Sequence, residues 1–543
     1  MIMPISRRRR ARLAAACCAA LAALTITATG TTAQASVAAP AVGSSADPVV
    51  QITGGLIRGA TVPGGYAFRG LPYAAPPTGN LRWRSPAPPA SWRGVRDATQ
   101  FGPSCPQGAG AFAPPAPVSE DCLYLNVSTP SRRDGASRPV LVWIHGGGLT
   151  QDAGRNYDPA KLAADGTVVV TINYRLGALG FLAHPALASR PGGPAGNYGL
   201  MDQQAALRWV RANIARFGGN PHNVTIAGES AGGLSVLAQM VSAGARGLFQ
   251  RAIIQSGAFA LTQQPLASAE ATGQAFAAKA GCPDQSAACL RQLPVTALVD
   301  TPFTGIPGVV DGQVLTESVG PALAAGRFAR VPVLDGTNHD EEAIFVEGAG
   351  VAVSGGSFVP LPKPVTADTY QGDIAAVLGV TAGRAAAVAA RYPLTAYPAP
   401  VAALSALVGD ANFACPALQL DKWTSGRVPT FAYEFNDDAA PQRFVPPGKV
   451  APVATHGSEL QYLFDLPNAP VPGPLSTGQQ ALAASMRAAW VHFAATGTPR
   501  TAAVSWPAFS GGSHAPVLSL VTPRPQAETD FSARHQCAFW GVG

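Results

Sequence analysis

The stretch NVTIAGESAGGLSVLAQM, residues 223–240, places a serine between two glycines. Val224, Thr225, Ile226 and Ala227 form a short β-favouring apolar run. Leu234 to Met240 suits a helix. Between them, Gly228-Glu229-Ser230-Ala231-Gly232 fits the pattern G-x-S-x-G. At a strand–turn–helix junction this pattern projects the serine oxygen from the top of a sheet. Small residues on both sides let backbones approach closely. An ordinary strand-to-helix loop also tolerates glycine, so the rest of the chain has to decide.

The same alternation continues outward. RPVLVWIHGGGL (138–149) reads as a buried strand ending in three glycines, and GTVVVTINYRL (166–176) as another strand. GLMDQQAALRWVRANIARFGG (199–219) reads as an amphipathic helix, with Leu207, Val210, Ile214 and Phe217 at helical spacing and Gly218 as the stop. FQRAIIQSG (249–257), VPVLDGTN (331–338) and TFAYEFN (430–436) read as strands. Strands alternating with helices predict an α/β fold, with a mostly parallel sheet covered on both faces. Residues 49–62 read as an antiparallel hairpin at the front edge. Residues 261–330 and 345–415 are Ala-rich without a sheet pattern, and are predicted to form helical walls over a pocket.

Residues 1–35 read as a secretory signal. Arg7 to Arg10 and Arg12 make a positive start, Leu13 to about Leu24 is apolar, and Ala33-Gln34-Ala35 is a cleavage site. The apolar run is too short to span a bilayer comfortably. Arg7-Arg8 allows a twin-arginine route, and Cys17 after small residues weakly resembles a lipoprotein site. The mature chain, residues 36–543, reads as a single domain. The net charge of +7 belongs largely to the leader, because removing its five arginines leaves 33 basic against 31 acidic residues. Nothing favours nucleic acid as a partner. Six cysteines remain, Cys105, Cys122, Cys282, Cys289, Cys415 and Cys537, an even number that in an exported chain reads as disulfides. No C-x-x-C pair or cysteine–histidine cluster suggests a metal. Asn126-Val-Ser128 and Asn223-Val-Thr225 fit glycosylation sequons but fall in strand segments.

His145-Gly146-Gly147-Gly148 ends a strand well before the serine. A glycine run lets successive N–H groups curl toward one point, which suits a site where a carbonyl oxygen becomes negative. Together with the elbow, FRGLPYAAPPTGNLRWRSPAPPASW (68–92), SEDCLYLNV (119–127), VLVWIHGGG (140–148), GNYGLMDQQAALRWVRANIARFGGNPHNVTIAGESAGG (196–233), QSGA (255–258), GTNHDEE (336–342), THGSEL (455–460) and WVHFAATGTP (490–499) closely resemble the type-B carboxylesterases, the cholinesterase-like branch of the α/β-hydrolases. The matching stretches span nearly the whole mature chain. The resemblance implies the α/β-hydrolase fold and hydrolysis of small-molecule esters through an acyl-enzyme, with no cofactor and no metal. It leaves oligomeric state open.

A serine hydroxyl needs a base to take its proton. In α/β-hydrolases the chain order is serine, acid, histidine. His145, His184 and His222 precede Ser230. His339 adjoins the candidate acids, His492 falls in a helical run, and His514 and His535 lie in the C-terminal tail. His456 remains, and HGSEL matches the family's histidine motif. A neutral histidine base predicts a rate rising through a pKa near ~6.5–7. Asp340, Glu341 and Glu342 all follow a strand's carboxyl end, where α/β sites are built. The family pattern selects Glu341 among them. It also implies the N–H groups of Gly147, Gly148 and Ala231 as the oxyanion hole, and disulfides Cys105–Cys122, Cys282–Cys289 and Cys415–Cys537. Glu229 and Glu459 match acidic positions lining the family's site; hydrogen-bonding structure is their plainer reading.

One stretch departs from the acetylcholine-hydrolysing relatives. They carry a tryptophan about ten residues before the cysteine of EDCLYL, and GAFAPPAPVSEDC (110–122) offers only Phe112, which argues against a strong quaternary-ammonium site. A general carboxylesterase is therefore favoured. The alternatives are a specialised lipase, feruloyl or polyester esterase, and a non-catalytic binding protein. The last is disfavoured because serine, acid and histidine are all intact.

Overall fold

The computed structural model describes residues 47–130, 137–188, 195–303, 308–361, 364–512 and 514–542. The expected leader and its cleavage point near Ala35 lie outside the described residues.

An eleven-stranded sheet forms the centre. Its strands run, edge to edge, Gln526–Glu528, Val517–Leu520, Thr430–Phe435, Val333–Asn338, Arg251–Gln255, Gly219–Glu229, Arg138–Ile144, Val168–Ile172, Tyr124–Pro130, Gly65–Pro72 and Ala60–Val62. Pairing is parallel from Val168–Ile172 across to Val517–Leu520 and antiparallel at both edges. This is the α/β-hydrolase architecture.

The central strands are apolar on both faces because both faces are covered. Side chains alternate across a strand. Val140, Val142 and Ile144 therefore join one core with Val224, Ile226 and Ile254, while Leu141 and Trp143 join another with Ala227, Ile253 and Leu334. The helix Tyr198–Asn213 covers the first face, and a 3₁₀ turn Ile214–Phe217 extends it to Gly218, left-handed at φ 82°. Leu207, Val210, Ile214 and Phe217 all enter that core. The helix Thr477–Thr496 covers the second face with Leu482, Met486, Trp490 and Phe493. Its start is fixed by a capping box between Ser476 and Gln479.

Two expectations need correction. The 49–62 segment is not one hairpin. Val49–Ile52 pairs with Gly55–Arg58 in a separate small sheet with Val95–Asp97, while Ala60–Val62 crosses into the main sheet. Gly59 separates the two pieces. The walls at 261–330 and 345–415 are largely helical but carry strands. Gln264–Pro265 pairs with Val309–Val310, and Val351–Ser354 forms a hairpin with Ser357–Pro360. Gly355 and Gly356 have φ of 55° and 82°, the two positive values of a type I′ hairpin turn.

The disulfides Cys105–Cys122, Cys282–Cys289 and Cys415–Cys537 are formed. The helical run Pro400–Ser425 is long and apolar enough to cross a membrane, but 67% of its apolar window is buried inside the protein, as in a core helix. Both sequon asparagines lie within strands, where Asn126 donates to Thr171 Oγ1 and Asn223 accepts from Arg251.

Candidate active site

The strand Gly219–Glu229 passes directly into the helix Ala231–Val241, and Ser230 is the joint, at φ 56° and ψ −125°. Positive φ is uncommon outside glycine and is held only when the surroundings insist. Here they do. Ser230 N–H donates to Gln255 O at 2.8 Å on the neighbouring strand, and Ser230 O accepts from Leu234 N at 2.9 Å. The flanking glycines are forced by space. A Cβ on Gly232 would lie 2.0 Å from Ile144 O, and one on Gly228 would lie 2.5 Å from Gly232.

The glycine run after Arg138–Ile144 curls next to this joint. Gly147 O accepts from the N–H groups of Thr150 and Gln151, with Gly147 and Gly148 at φ 78° and 63°. Among the described residues, the Gly147 and Gly148 N–H groups have no acceptor. Ala231 is the first residue of its helix, so its N–H has no partner within the helix.

Glu341 follows the strand Val333–Asn338. Its Oε1 accepts from Thr337 Oγ1 and Asn338 N, each at 2.7 Å, and its Oε2 lies 2.5 Å from His456 Nδ1. The histidine loop is tied to the same strand end, where Asn338 Nδ2 donates to Thr455 O at 2.7 Å and Ile344 N donates to Thr455 Oγ1 at 2.8 Å. Phe345 and Phe413 flank the imidazole, with centroids at 5.1 and 5.3 Å. Asp340 turns away from His456 toward His339 Nδ1 at 3.0 Å. Glu342 is fully buried and accepts from Val353 N, 3.2 Å from each oxygen. So only one of the three adjacent carboxylates meets the imidazole.

Around His456 the structure gathers two more buried glutamates. Glu459 accepts from Gln255 Nε2 at 2.9 Å and Asn338 Nδ2 at 2.8 Å, which fits the structural reading. Glu229 Oε1 lies 3.1 Å from His456 Nε2, an ion-pair distance but off the hydrogen-bonding direction. Among the described residues, no hydrogen bond joins Ser230 Oγ to the imidazole; Nδ1 faces Glu341 and Nε2 faces Glu229. Hydrogen bonds of this kind are often loose until substrate arrives.

These neighbours set the charges. Burial pushes His456 down, but Glu229 and Glu341 outweigh it and raise it to about 9. Burial pushes Glu341 up, yet the His456 charge and its hydrogen bond bring it below the ordinary value. Burial raises Glu229 well above the usual carboxylate range; Glu459, Glu341 and Asp152 add to this and His456 opposes it. Of the two acids beside the ring, Glu341 is the one shifted toward its ionised form.

Ser230, His456, Gly147 and Gly148 share one cavity of about 360 Å³. Phe112, Phe259, Phe345, Phe358, Phe413 and Phe444 supply aromatic walls, with Phe112 packed on Phe444 at 4.6 Å. Among the described lining residues, the ionisable ones are Glu229 and His456.

His535, passed over as a tail residue, is a second buried histidine between carboxylates. Its Nδ1 lies 2.5 Å from Asp410 Oδ1 and its Nε2 2.6 Å from Glu434 Oε1. Cys537, two residues on, is the sequence signal that this tail is anchored. The remaining histidines fall outside the cavity's lining.

Residues 46–540 match the family model described as Carboxylesterase family. The chain is 36% identical over 469 residues to fumonisin B1 esterase of Sphingopyxis macrogoltabida, covering 81% of each chain. It is 34% identical to para-nitrobenzyl esterase of Bacillus subtilis (strain 168), covering 84% of this chain and 91% of that one. It is also 34% identical to cocaine esterase of Oryctolagus cuniculus, covering 86% and 91% respectively.

Proposed function

Because the chain belongs to the carboxylesterase family and hydrolyses carboxylic ester bonds, we propose that Ser230 is its nucleophile, His456 its general base and Glu341 the acid that orients the imidazole. The observation carrying this reading is the buried Glu341–His456 pair opening into the cavity that also holds Ser230.

His456 Nε2 takes the Ser230 hydroxyl proton as Oγ attacks the ester carbonyl. The carbonyl oxygen gains a negative charge, which the N–H groups of Gly147, Gly148 and Ala231 stabilise. Glu341 holds Nδ1–H and stabilises the imidazolium. The intermediate collapses, the carbonyl re-forms, and the alkoxy oxygen leaves with the proton from His456. Water then gives its proton to His456 and attacks the acyl-enzyme, releasing the carboxylate and restoring Ser230. Every proton transfer is served by His456, so this cycle calls for no cofactor or metal.

The substrate is a small-molecule ester. The largely apolar lining supports a neutral, apolar one, and the lack of a tryptophan in GAFAPPAPVSEDC supports a general carboxylesterase over an acetylcholine hydrolase. Relatives named for fumonisin B1 and for para-nitrobenzyl esters support a specialised substrate as the second reading. Three disulfides support export, with residues 1–35 as the leader and 36–543 as the mature domain.

The test is a series of p-nitrophenyl esters of increasing acyl length, assayed with a chelator and without added metal. Turnover of the short esters, abolished by Ser230→Ala, is the expected result. Activity lost to the chelator and restored by metal would overturn it. N-terminal sequencing of the secreted protein should read from Ser36.

A further inference from the structure

The hairpin Val351–Pro360 stands over the cavity with one strand anchored and the other open to solvent. Ala352 and Val353 are buried, whereas Phe358 is 51% exposed, unusual for so large an apolar side chain. Paired residues share a face of a hairpin. Val353 pairs with Phe358, and both line the cavity, as does Val351. Ala352 points to the other face, into the core of the helical insertion.

The anchors are polar. Val353 N donates to the buried Glu342 carboxyl, Val353 O accepts from Asn412 Nδ2, and Leu361 N donates to Gly350 O at 3.0 Å. Glu342 directly follows Glu341, so the hairpin hangs from the loop that supplies the acid of the pair. The Phe358 ring then reaches over the cavity. It lies 5.7 Å from Phe345, which flanks the imidazole, and borders Gly148, where an added Cβ would come within 3.6 Å of Phe358 Cε2. Phe358 thus reaches from the aromatic neighbour of the imidazole to the glycine turn after Arg138–Ile144.

We propose that this hairpin is a size-selecting roof, and that Phe358 is a specificity-determining residue favouring esters with a large apolar group over small ones. The inference rests on the Ser230–His456–Glu341 reading. A large apolar group under the roof covers the ring's exposed face; an acetyl or methyl group leaves it wet. Pockets of this kind discriminate by about 10–200-fold per methylene.

The test compares Phe358→Ala with wild type on two series, p-nitrophenyl esters of growing acyl length and acetates of growing alcohol size. In at least one series the large-to-small ratio of kcat/KM should fall at least about tenfold, mainly through KM. Phe358→Tyr should restore most of it, and the series affected tells which half of the ester lies under the roof. Half-exposed Phe358 is not a folding requirement, so both variants should melt with wild type. Fluorophosphonate labelling of Ser230 is followed in the same preparations. Ratios within about twofold of wild type in both series, with Ser230 labelled, would overturn the roof alone. An unlabelled Ser230 in wild type would overturn the catalytic reading beneath it.

Discussion

Glu341 Oε2 lies 2.5 Å from His456 Nδ1, and both side chains are buried. A carboxylate in that place fixes the tautomer that leaves Nε2 free to accept a proton. An amide there misorients the ring, a change that can cost about 10⁴ in kcat in a serine protease. Glu341→Gln should therefore lose at least about 10² in kcat. Asp340→Asn should be much milder, since Asp340 meets His339 instead. Glu342→Gln should also cost less than Glu341→Gln, with its effect on ester selectivity through the hairpin it holds. Steady-state kinetics on variants matched by thermal melting checks this. A crippled Asp340→Asn beside an active Glu341→Gln would reassign the acid.

As the proposed base, His456 must be neutral to work, so activity should fall as pH drops through its pKa. Glu229 and Glu341 raise that pKa to about 9 against the effect of burial. The acid limb of kcat/KM should thus lie above the ~6.5 of a free imidazole, higher than histidine alone suggests. Glu229→Gln removes one of the two carboxylates and should move the limb downward. A wild-type limb at or below ~6.5, or one that Glu229→Gln leaves in place, would contradict this.

The C-terminal tail makes a separate prediction about stability. Burial pushes His535 down, but Glu434 and Asp410 raise it to about 10. A histidine raised in the folded state stabilises fully below its unfolded pKa of ~6.5 and loses that contribution as pH rises through the folded value. The melting temperature should therefore fall as pH climbs from ~6.5 toward 10, and His535→Gln should flatten that slope. The same tail carries the Cys415–Cys537 bridge, with a separation of 122 residues. Closing such a loop is worth roughly 4–5 kcal/mol in the chain-entropy model. Cys537→Ser should lower the denaturant midpoint accordingly; an unchanged midpoint would contradict a stabilising bridge.

Local signals carried most of the fold. The apolar run before Gly228 and the helix pattern after Gly232 marked the elbow, because strand and helix leave different periods. The double glycine at 355–356, flanked by Val351, Val353 and Val359, was also a hairpin signal, but the alanine-rich surroundings masked it. Other features left no local trace. The parallel pairing of Leu56 with Val95 joins segments far apart in sequence. Nothing in Asp340-Glu341-Glu342 reveals that the third carboxylate is buried beneath a hairpin. The Asp410–His535–Glu434 cluster draws on three distant segments, so composition could not bring its members together. Glu229 facing His456 Nε2 is likewise a product of the fold.

The central claim is that Ser230, held at φ 56° in the cavity it shares with His456, is the nucleophile. Its most direct test is to label the intact protein with a fluorophosphonate and map the adduct by peptide mass spectrometry. The account predicts one adduct, on Ser230, appearing in step with loss of esterase activity and absent from Ser230→Ala. An adduct on another serine that tracks inactivation, or full esterase activity in Ser230→Ala, would contradict it.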